Sequence, residues 1–321
     1  TGICIVGSGP AGMTVAMELE RLGLDCVLLE SGGREPDPEH TPLNQTAQIG
    51  IRTDPSVANR VRGLGGTSAI WGGLCRPLDD MDLERRHWVP GSGWPIGLSE
   101  LTPHYDTAHR ILELPPAEYD LERLQSTGAD RPGLFEDSDF HNVVFYFDSS
   151  PVRFGSHYGV HLESSPGIRT FLDSTVVDII TDEVGRRVVA LQVSTLAGKK
   201  FRVRAERFVL AAGAIQTARL LLSADGTHKT GLGNANDMVG RYFLQHPVLY
   251  RPLLLMFEAR SRQRLRRQGK NKVSIRTAIQ PGAARQHHLL NFHFFLAQQQ
   301  SPGRRETLLR TLPGPLRGLL Q

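Results

Sequence analysis

The sequence predicts an α/β fold (α+β in its mixture of sheets): a central parallel sheet bearing a nucleotide-binding turn, with an antiparallel meander beside it. Three observations predict this. The chain opens with a β-branched run, Ile3 to Val6, then a glycine turn, a helix from Ala11 to Leu22 and a second apolar run, Cys26 to Leu29. A strand–helix–strand unit of this kind sets its strands parallel through a right-handed crossover. From residue 168 four strand-like runs follow, "IRTFL", "TVVDII", "RVVALQVST" and "FRVRAERFVLAAG". The turns "DEVGR" and "LAGKK" separate the last three, as in a meander. The final run passes through Ala211, Ala212 and Gly213 into a helical segment, "AIQTARLLLSA".

The remaining elements follow in order. Residues 33–60 are rich in Pro, Asp, Thr and Asn, without a period, and read as a surface excursion. "LSELTPHYDTAHRILEL" reads as a helix capped by Ser99, with Leu101, Tyr105, Ala108 and Leu112 along one face. Residues 115–142 read as irregular and "NVVFYF" as a strand. Strand-like runs at 248–257, 272–280 and 289–296 alternate with basic loops.

A length of 321 residues fits about two domains, and 40% apolar with 22% charged content is an ordinary globular balance. No apolar run approaches the ~18 residues of a membrane helix. Residues 1–160 carry 12 Lys/Arg against 23 Asp/Glu and residues 161–321 carry 25 against 10, so the halves differ in sign. This reads as mutual neutralisation, with an anionic partner or membrane surface as the alternative. The run "ARSRQRLRRQGK" at 259–270 holds six cations without interleaved aromatics, which argues against nucleic acid. Cys4, Cys26 and Cys75 cannot build a disulfide framework, and Cys4 and Cys26 read as buried thiols in a reducing, cytoplasmic setting. No signal peptide is visible, and no His/Cys/Asp spacing suggests a metal.

Gly7-Ser8-Gly9-Pro10-Ala11-Gly12 is G-x-G-x-x-G between a strand and a helix. Gly7 permits the tight turn, Gly9 lets amides approach a pyrophosphate, and Gly12 lets the helix pack on the strand. The helix N-terminus presents free N–H groups and positive dipole. Glu30 closes the second strand 18 residues past Gly12, where a carboxylate accepts from ribose hydroxyls and disfavours a 2′-phosphate. FAD or NAD therefore fits better than NADP. The stretch "RGLGGTSAIWGGLCRPLDD", residues 62–80, decides between them. Gly63, Gly65, Gly66, Gly72 and Gly73 permit close backbone approach, Thr67 and Ser68 offer hydroxyls, and Arg62 offers a guanidinium for phosphate. A second cradle of this kind suits a flavin.

Four stretches, "CIVGSGPAGMTVAMELERLGLDCVLLESG", "RGLGGTSAIWGG", "FVLAAGAIQTARLLLSA" and "GLGNANDMVGRYFLQHP", make the sequence resemble the glucose–methanol–choline (GMC) oxidoreductases. The resemblance implies a Rossmann-like FAD-binding domain, residues 1–75 and 151–245, and a sheet-based substrate or cap domain, residues 76–150 and 246–321, the latter incomplete. It places Gly7, Gly9, Pro10, Ala11 and Gly12 at the pyrophosphate, and Glu30 with Ser31 at the adenosine ribose. Arg62, Gly65, Gly66, Thr67 and Ser68 approach pyrophosphate and flavin. The backbone of Ile70, Trp71, Gly72, Gly73 and Leu74 runs beside the flavin ring. Val177 meets the adenine through its backbone, and Ala211, Ala212 and Gly213 close over the cofactor. Some relatives attach flavin through a His in the segment matching 67–71; Ala69 and Ile70 stand here, implying non-covalent FAD.

The implied activity is oxidation of a CH–OH group in a sugar, polyol or hydroxylated natural product, by hydride transfer to flavin N5, with oxygen or another electron acceptor. The family's catalytic His, with its partner His or Asn, lies on a C-terminal segment that nothing here resembles. The alternative is thus a non-catalytic FAD-binding or scaffold subunit needing a second polypeptide. His287, His288 and His293 read as structural, with a substrate-facing role as the alternative. His246 reads as structural, near a domain junction. The Leu-rich basic tail, "RRETLLRTLPGPLRGLLQ", broken by Pro313 and Pro315, reads as a linker, with a lid or a peripheral membrane contact as alternatives.

Overall fold

A computed structural model describes residues 1–47, 49, 60–126, 139–148, 150–244, 266–268 and 271–294. The chain forms two compact units. The first comprises Thr1–Leu74, Ala108–Pro115 and Phe147–Leu253; the second comprises Cys75–Thr107, Pro116–Tyr146 and Leu254–Gln321.

In chain order the first unit holds β1 (Ile3–Val6), α1 (Pro10–Arg21) and β2 (Cys26–Leu29). The second unit then contributes α2 (Asp80–Leu83) and most of α3 (Leu98–Ile111), then α4 (Leu121–Ser126) and β3 (Phe140–Asp148). The chain returns to the first unit with α5 (Phe154–Ser164), β4 (Ile168–Phe171), β5 (Thr175–Thr181), β6 (Val188–Ser194), β7 (Lys200–Val203), β8 (Arg207–Leu210) and α6 (Ala214–Ser223). It ends in the second unit with β9 (Arg266–Gln268), β10 (Asn271–Ile279), α7 (Pro281–Gln286) and β11 (His293–Phe294).

The first unit is built on a parallel sheet of order β4-β2-β1-β8. Its strands bury both faces, as parallel sheets do. Ile5, Cys26, Leu28 and Ile168 pack with Met13 and Ala16 of α1 and Phe154 and Leu162 of α5. Cys4, Val6, Val27 and Leu29 point the other way, into Ile179, Leu191 and Val193 of the meander and Leu220 of α6. Burying each large aliphatic side chain contributes ~1.5–3 kcal/mol. The meander β5-β6-β7 is a separate antiparallel sheet. In the second unit β3, β10 and β11 form one sheet, with β9 paired to β10.

Two sequence expectations are corrected. "FRVRAERFVLAAG" is not one meander strand. β7 ends at Val203, and after Ala205 and Glu206 the chain crosses to the parallel sheet as β8, paired with β1. Glu206 and Arg207 amides donate to Gly2 O at the crossing. Ala211–Gly213 therefore follows a parallel strand. Ser99 does not cap α3, which begins one residue earlier, at Leu98; the Glu100 carboxylate accepts from the Gly97 amide instead. The run at 289–296 yields only the two-residue β11 among the described residues, and 248–257 lies outside them.

Candidate dinucleotide site

β1 delivers the chain into the glycine turn at the carboxyl edge of the sheet. β1 lies between β2 and β8, so the sheet's switch point is there, where parallel folds hold ligands. The Gly7 amide donates to Leu29 O (2.8 Å) and the Ala211 amide to Val6 O (2.8 Å), which ties the turn to both neighbours. Gly7 has φ 99°, and a Cβ there would stand 2.6 Å from Ala211 O. A Cβ at Gly12 would stand 1.9 Å from Gly7 O. At Gly9 a Cβ would meet nothing within 4 Å among the described residues. Gly9 is the N-cap of α1 and Pro10 its first residue; no side chain caps the helix, and Ala11 is exposed. The first-turn amides and the positive end of the dipole are open to an anion.

Glu30 lies just past β2 and is 5% exposed. Its Oε2 accepts from the Ser8 amide (2.9 Å) and the Ser8 hydroxyl (2.6 Å), and its Oε1 from the amides of Gly32 (2.9 Å) and Gly63 (3.1 Å). One carboxylate thus joins the first glycine turn, the strand end and the second glycine stretch. Next to it, Ser31 Oγ shares a hydrogen bond with Thr175 Oγ1 (2.7 Å) and accepts from Arg62 Nη1 (2.6 Å). The other Arg62 nitrogens donate to Asn44 Oδ1 (2.9 Å) and Leu43 O (3.2 Å). Burial, partly offset by the Glu30 charge, holds the Arg62 guanidinium below its ordinary pKa.

The second glycine stretch lies against the first. The Gly65 amide donates to Ser8 O (3.0 Å), and a Cβ on Gly66 (φ 55°) would stand 3.0 Å from Gly9 Cα. Gly66–Ala69 is a 3-10 turn. Its Ser68 is buried; the hydroxyl donates to Gly65 O (2.7 Å) and accepts (3.0 Å) from the amide of Phe154, the first residue of α5. Arg153 Nη1 donates to Ser68 O (2.8 Å) and Trp71 O (2.6 Å), while Trp71 Nε1 donates to Val152 O (3.0 Å). A Cβ on Gly155 would stand 2.0 Å from Leu64 O. Sequence reasoning missed this strap at 152–155; its signal was an arginine and a glycine flanking a helix start. Thr67 is exposed and its Oγ1 accepts from the Val61 amide (3.3 Å). Beyond the turn Ile70 and Leu74 are exposed, and a Cβ at Gly72 would meet nothing within 4 Å, whereas one at Gly73 would strike the Pro151 ring.

On the meander, β5 pairs through Val176 and Asp178 but its register skips Val177. This bulge leaves Val177 out of the ladder, with its side chain exposed. Ala212 packs into the meander-side core, and Gly213 (φ 79°) is the uncapped N-cap of α6. Two uncapped helix N-termini, α1 and α6, therefore follow the adjacent strands β1 and β8.

The histidines weighed as substrate-facing belong to the second unit. His293 Nε2 is 2.8 Å from Arg276 Nη1, His288 stacks on Trp88, and His287 is exposed. His246 and most of the 259–270 run and the Leu-rich tail lie outside the described residues. Among the described residues no group of three or more His, Cys, Asp or Glu is placed to hold a metal, and no helix is long and apolar enough to cross a membrane. Cys4 and Cys26 are free and belong to opposite faces of the parallel sheet. Burial pushes their thiols up to about 12 and about 11.

A family model described as pyridine nucleotide-disulphide oxidoreductase matches residues 1–245. The 2-methyl-1,2-propanediol dehydrogenase of Mycolicibacterium austroafricanum is 25% identical over 77% of this chain and 55% of its own. The paromamine 6′-oxidase of Streptomyces fradiae is 28% identical over 74% of this chain and 52% of its own. The fructose dehydrogenase large subunit of Gluconobacter japonicus is 32% identical over 76% and 58%. Similar chains from Mycobacterium tuberculosis are described as GMC-type oxidoreductases. The chain spans about half the length of the curated relatives it matches.

Proposed function

We propose that this chain, which belongs to the pyridine nucleotide-disulphide oxidoreductase family and to the GMC-type FAD oxidoreductases, holds non-covalent FAD for the oxidation of a CH–OH group. The observation that carries this reading is the meeting of two glycine stretches at the switch point of a parallel sheet. Packing among the described residues leaves Gly9 and Gly72 open there.

The residues present fit the group. The amides of the first α1 turn suit a pyrophosphate, and the Gly65–Gly66 backbone closes against the same turn. The bulge at Val177 frees a backbone edge that suits adenine. Ile70 and Leu74 offer apolar surface beside the Ile70–Leu74 backbone, suited to excluding water from a flavin face. Ala69, Ile70 and Trp71 include no nucleophile for a covalent flavin link. Bound FAD supplies the two-electron acceptor for a carbinol hydride. Cys4 and Cys26, back to back across the sheet, are not a redox disulfide pair.

Ser8 and the Ser31–Arg62 pair set the ribose end. Glu30 reaches a ribose hydroxyl with a lone pair only by sharing an oxygen that already accepts from an amide. The substrate is a small alcohol, and relatives named for 2-methyl-1,2-propanediol, paromamine and fructose support a sugar, polyol or hydroxylated natural product. Oxygen or another acceptor takes the electrons onward. A general base must remove the hydroxyl proton, contributing ~10²–10⁴-fold; we assign it to a second polypeptide or segment rather than to His287, His288 or His293. The free thiols favour a cytoplasmic setting.

The test is acid precipitation of the purified, FAD-reconstituted chain. A yellow supernatant with one FAD per chain is expected, and a colourless protein or flavin kept in the pellet overturns the reading. Anaerobic mixing with sugars and alcohols should leave the flavin of this chain oxidised. Rapid bleaching would return the base to one of the three histidines.

A further inference from the structure

Three guanidiniums converge beside the ribose end of the site, and their hydrogen bonds run to residues other than 7–12. Arg60 Nη2 donates to Asn44 O (2.5 Å), Arg62 donates to Asn44 Oδ1, Leu43 O and Ser31 Oγ, and Arg219 Nη1 donates to Leu43 O (3.1 Å). Gln216, one turn before Arg219 on α6, joins them: with its amide oxygen turned inward it accepts from Arg60 Nη1 and Arg62 Nη2 at 3.2 Å each. Every direct acceptor is neutral. Among the described residues no carboxylate makes an ion pair with any of the three. The Glu30 charge acts on Arg62, and its oxygens already accept from three backbone amides. Among the described residues Arg60 Nε is buried without an acceptor. Burial first, then the Arg219 charge, lowers the Arg60 pKa, and both Arg219 and Arg60 act on Arg62 in the same direction.

Gathering three like charges on Leu43 and Asn44 is unfavourable without a counter-anion. Planar guanidinium forks match the oxygens of a phosphate, and a doubly charged anion relieves more repulsion than a carboxylate. We propose that Arg60, Arg62 and Arg219, with Gln216, form a binding site for a phosphate dianion separate from the glycine turn. The ligand is inorganic phosphate or a phosphate ester on an adenosine nucleotide. It is not part of FAD, whose ribose hydroxyls carry no phosphate.

The test uses the FAD-loaded protein, with its flavin content read by absorbance. Inorganic phosphate is titrated calorimetrically at constant ionic strength against chloride. Binding of one phosphate per chain is expected. Arg219→Gln, on an exposed helical residue, should weaken it about ten-fold or more at unchanged FAD content, and Arg60→Gln should do the same. Parallel titrations with 5′-AMP and 2′,5′-ADP separate the sources. Tighter binding of 2′,5′-ADP than of phosphate, with FAD displaced, assigns the nucleotide ester; equal or weaker binding without displacement assigns the free ion. No heat beyond the chloride control, or full phosphate affinity in both variants, overturns the proposal.

Discussion

Glu30 separates two accounts of the site. In one its carboxylate serves the ribose; in the other it is a clamp internal to the chain. The structure gives it four donors: the amides of Ser8, Gly32 and Gly63 and the Ser8 hydroxyl, at 2.6–3.1 Å. Glu30→Ala removes the acceptor of three buried amides at once. The Ser8 hydroxyl retains a second acceptor, Gly63 O at 3.4 Å. Each stranded donor costs ~1–3 kcal/mol. Three of them cost at least about 3 kcal/mol, a large share of the ~5–15 kcal/mol that stabilises a typical domain. Glu30→Gln keeps the shape but turns an NH2 toward N–H donors, so it should lose about half as much. The assay is urea unfolding of the FAD-free protein, where a ribose contact contributes nothing. We expect a lower midpoint for both variants, with Ala below Gln. FAD-free stability equal to wild type, with FAD affinity reduced about ten-fold or more, would refute the clamp and restore the ribose as the main partner.

The other predictions bear on neighbouring residues. Gly12→Ala puts a Cβ 1.9 Å from Gly7 O and should destabilise the FAD-free protein by ~1–3 kcal/mol or more, whereas Gly9→Ala, with open space at Cβ, should leave its unfolding curve intact and lose FAD; equal unfolding midpoints would remove the distinction. Arg153→Met withdraws the donor from Ser68 O and Trp71 O and should weaken FAD binding about ten-fold, measured by equilibrium dialysis; unchanged affinity would detach the strap from the cradle. At pH 8 the Cys4 and Cys26 thiols should resist an aromatic disulfide reagent until the protein unfolds. Their raised pKa values also set a sign: the unfolded chain ionises its thiols near 9, the folded chain at about 11 and 12, so their contribution is complete below 9 and lost as pH rises through that window. Alkaline unfolding that is independent of Cys4→Ala and Cys26→Ala would contradict it.

The first glycine turn was legible because its chemistry is local: spacing, a strand before and a helix after suffice. Where Glu30's lone pairs go was not legible. A carboxylate at a strand end faces ligand and backbone donors alike, and only the tertiary approach of Gly63 and Ser8 decides. The break between β7 and β8 was hidden because alternation continues from Phe201 to Glu206 and an apolar run follows closely, and the crossing is enforced by pairing with β1, some two hundred residues away. The Ser99 cap failed for a smaller reason, since the Glu100 side chain reached the Gly97 amide first. The strap at 152–155 left almost no sequence signal. Arg153 has meaning only once the 3-10 turn presents Ser68 O and Trp71 O to it.

The glycines themselves divide the site from the scaffold. Within the two stretches Gly7, Gly63, Gly65, Gly66 and Gly73 have φ values between 55° and 148°, a region that side chains disfavour, and Gly12 has no room for a Cβ. The chain's own geometry demands all six. Gly9 and Gly72 are different: their backbones are ordinary and their Cβ positions open. Neither a left-handed backbone nor a close packing contact requires a glycine at either place. Open glycines also occur at Gly2, Gly226 and Gly282, so open space alone assigns nothing. Gly9 differs from these by heading an uncapped helix at the switch point of the sheet. Gly72 differs by lying between the exposed Ile70 and Leu74, on a loop that Arg153 and Trp71 hold in place. A surface held rigid, stripped of side chains and left uncovered by the described residues is a surface shaped for something else, and in this family that ligand is FAD.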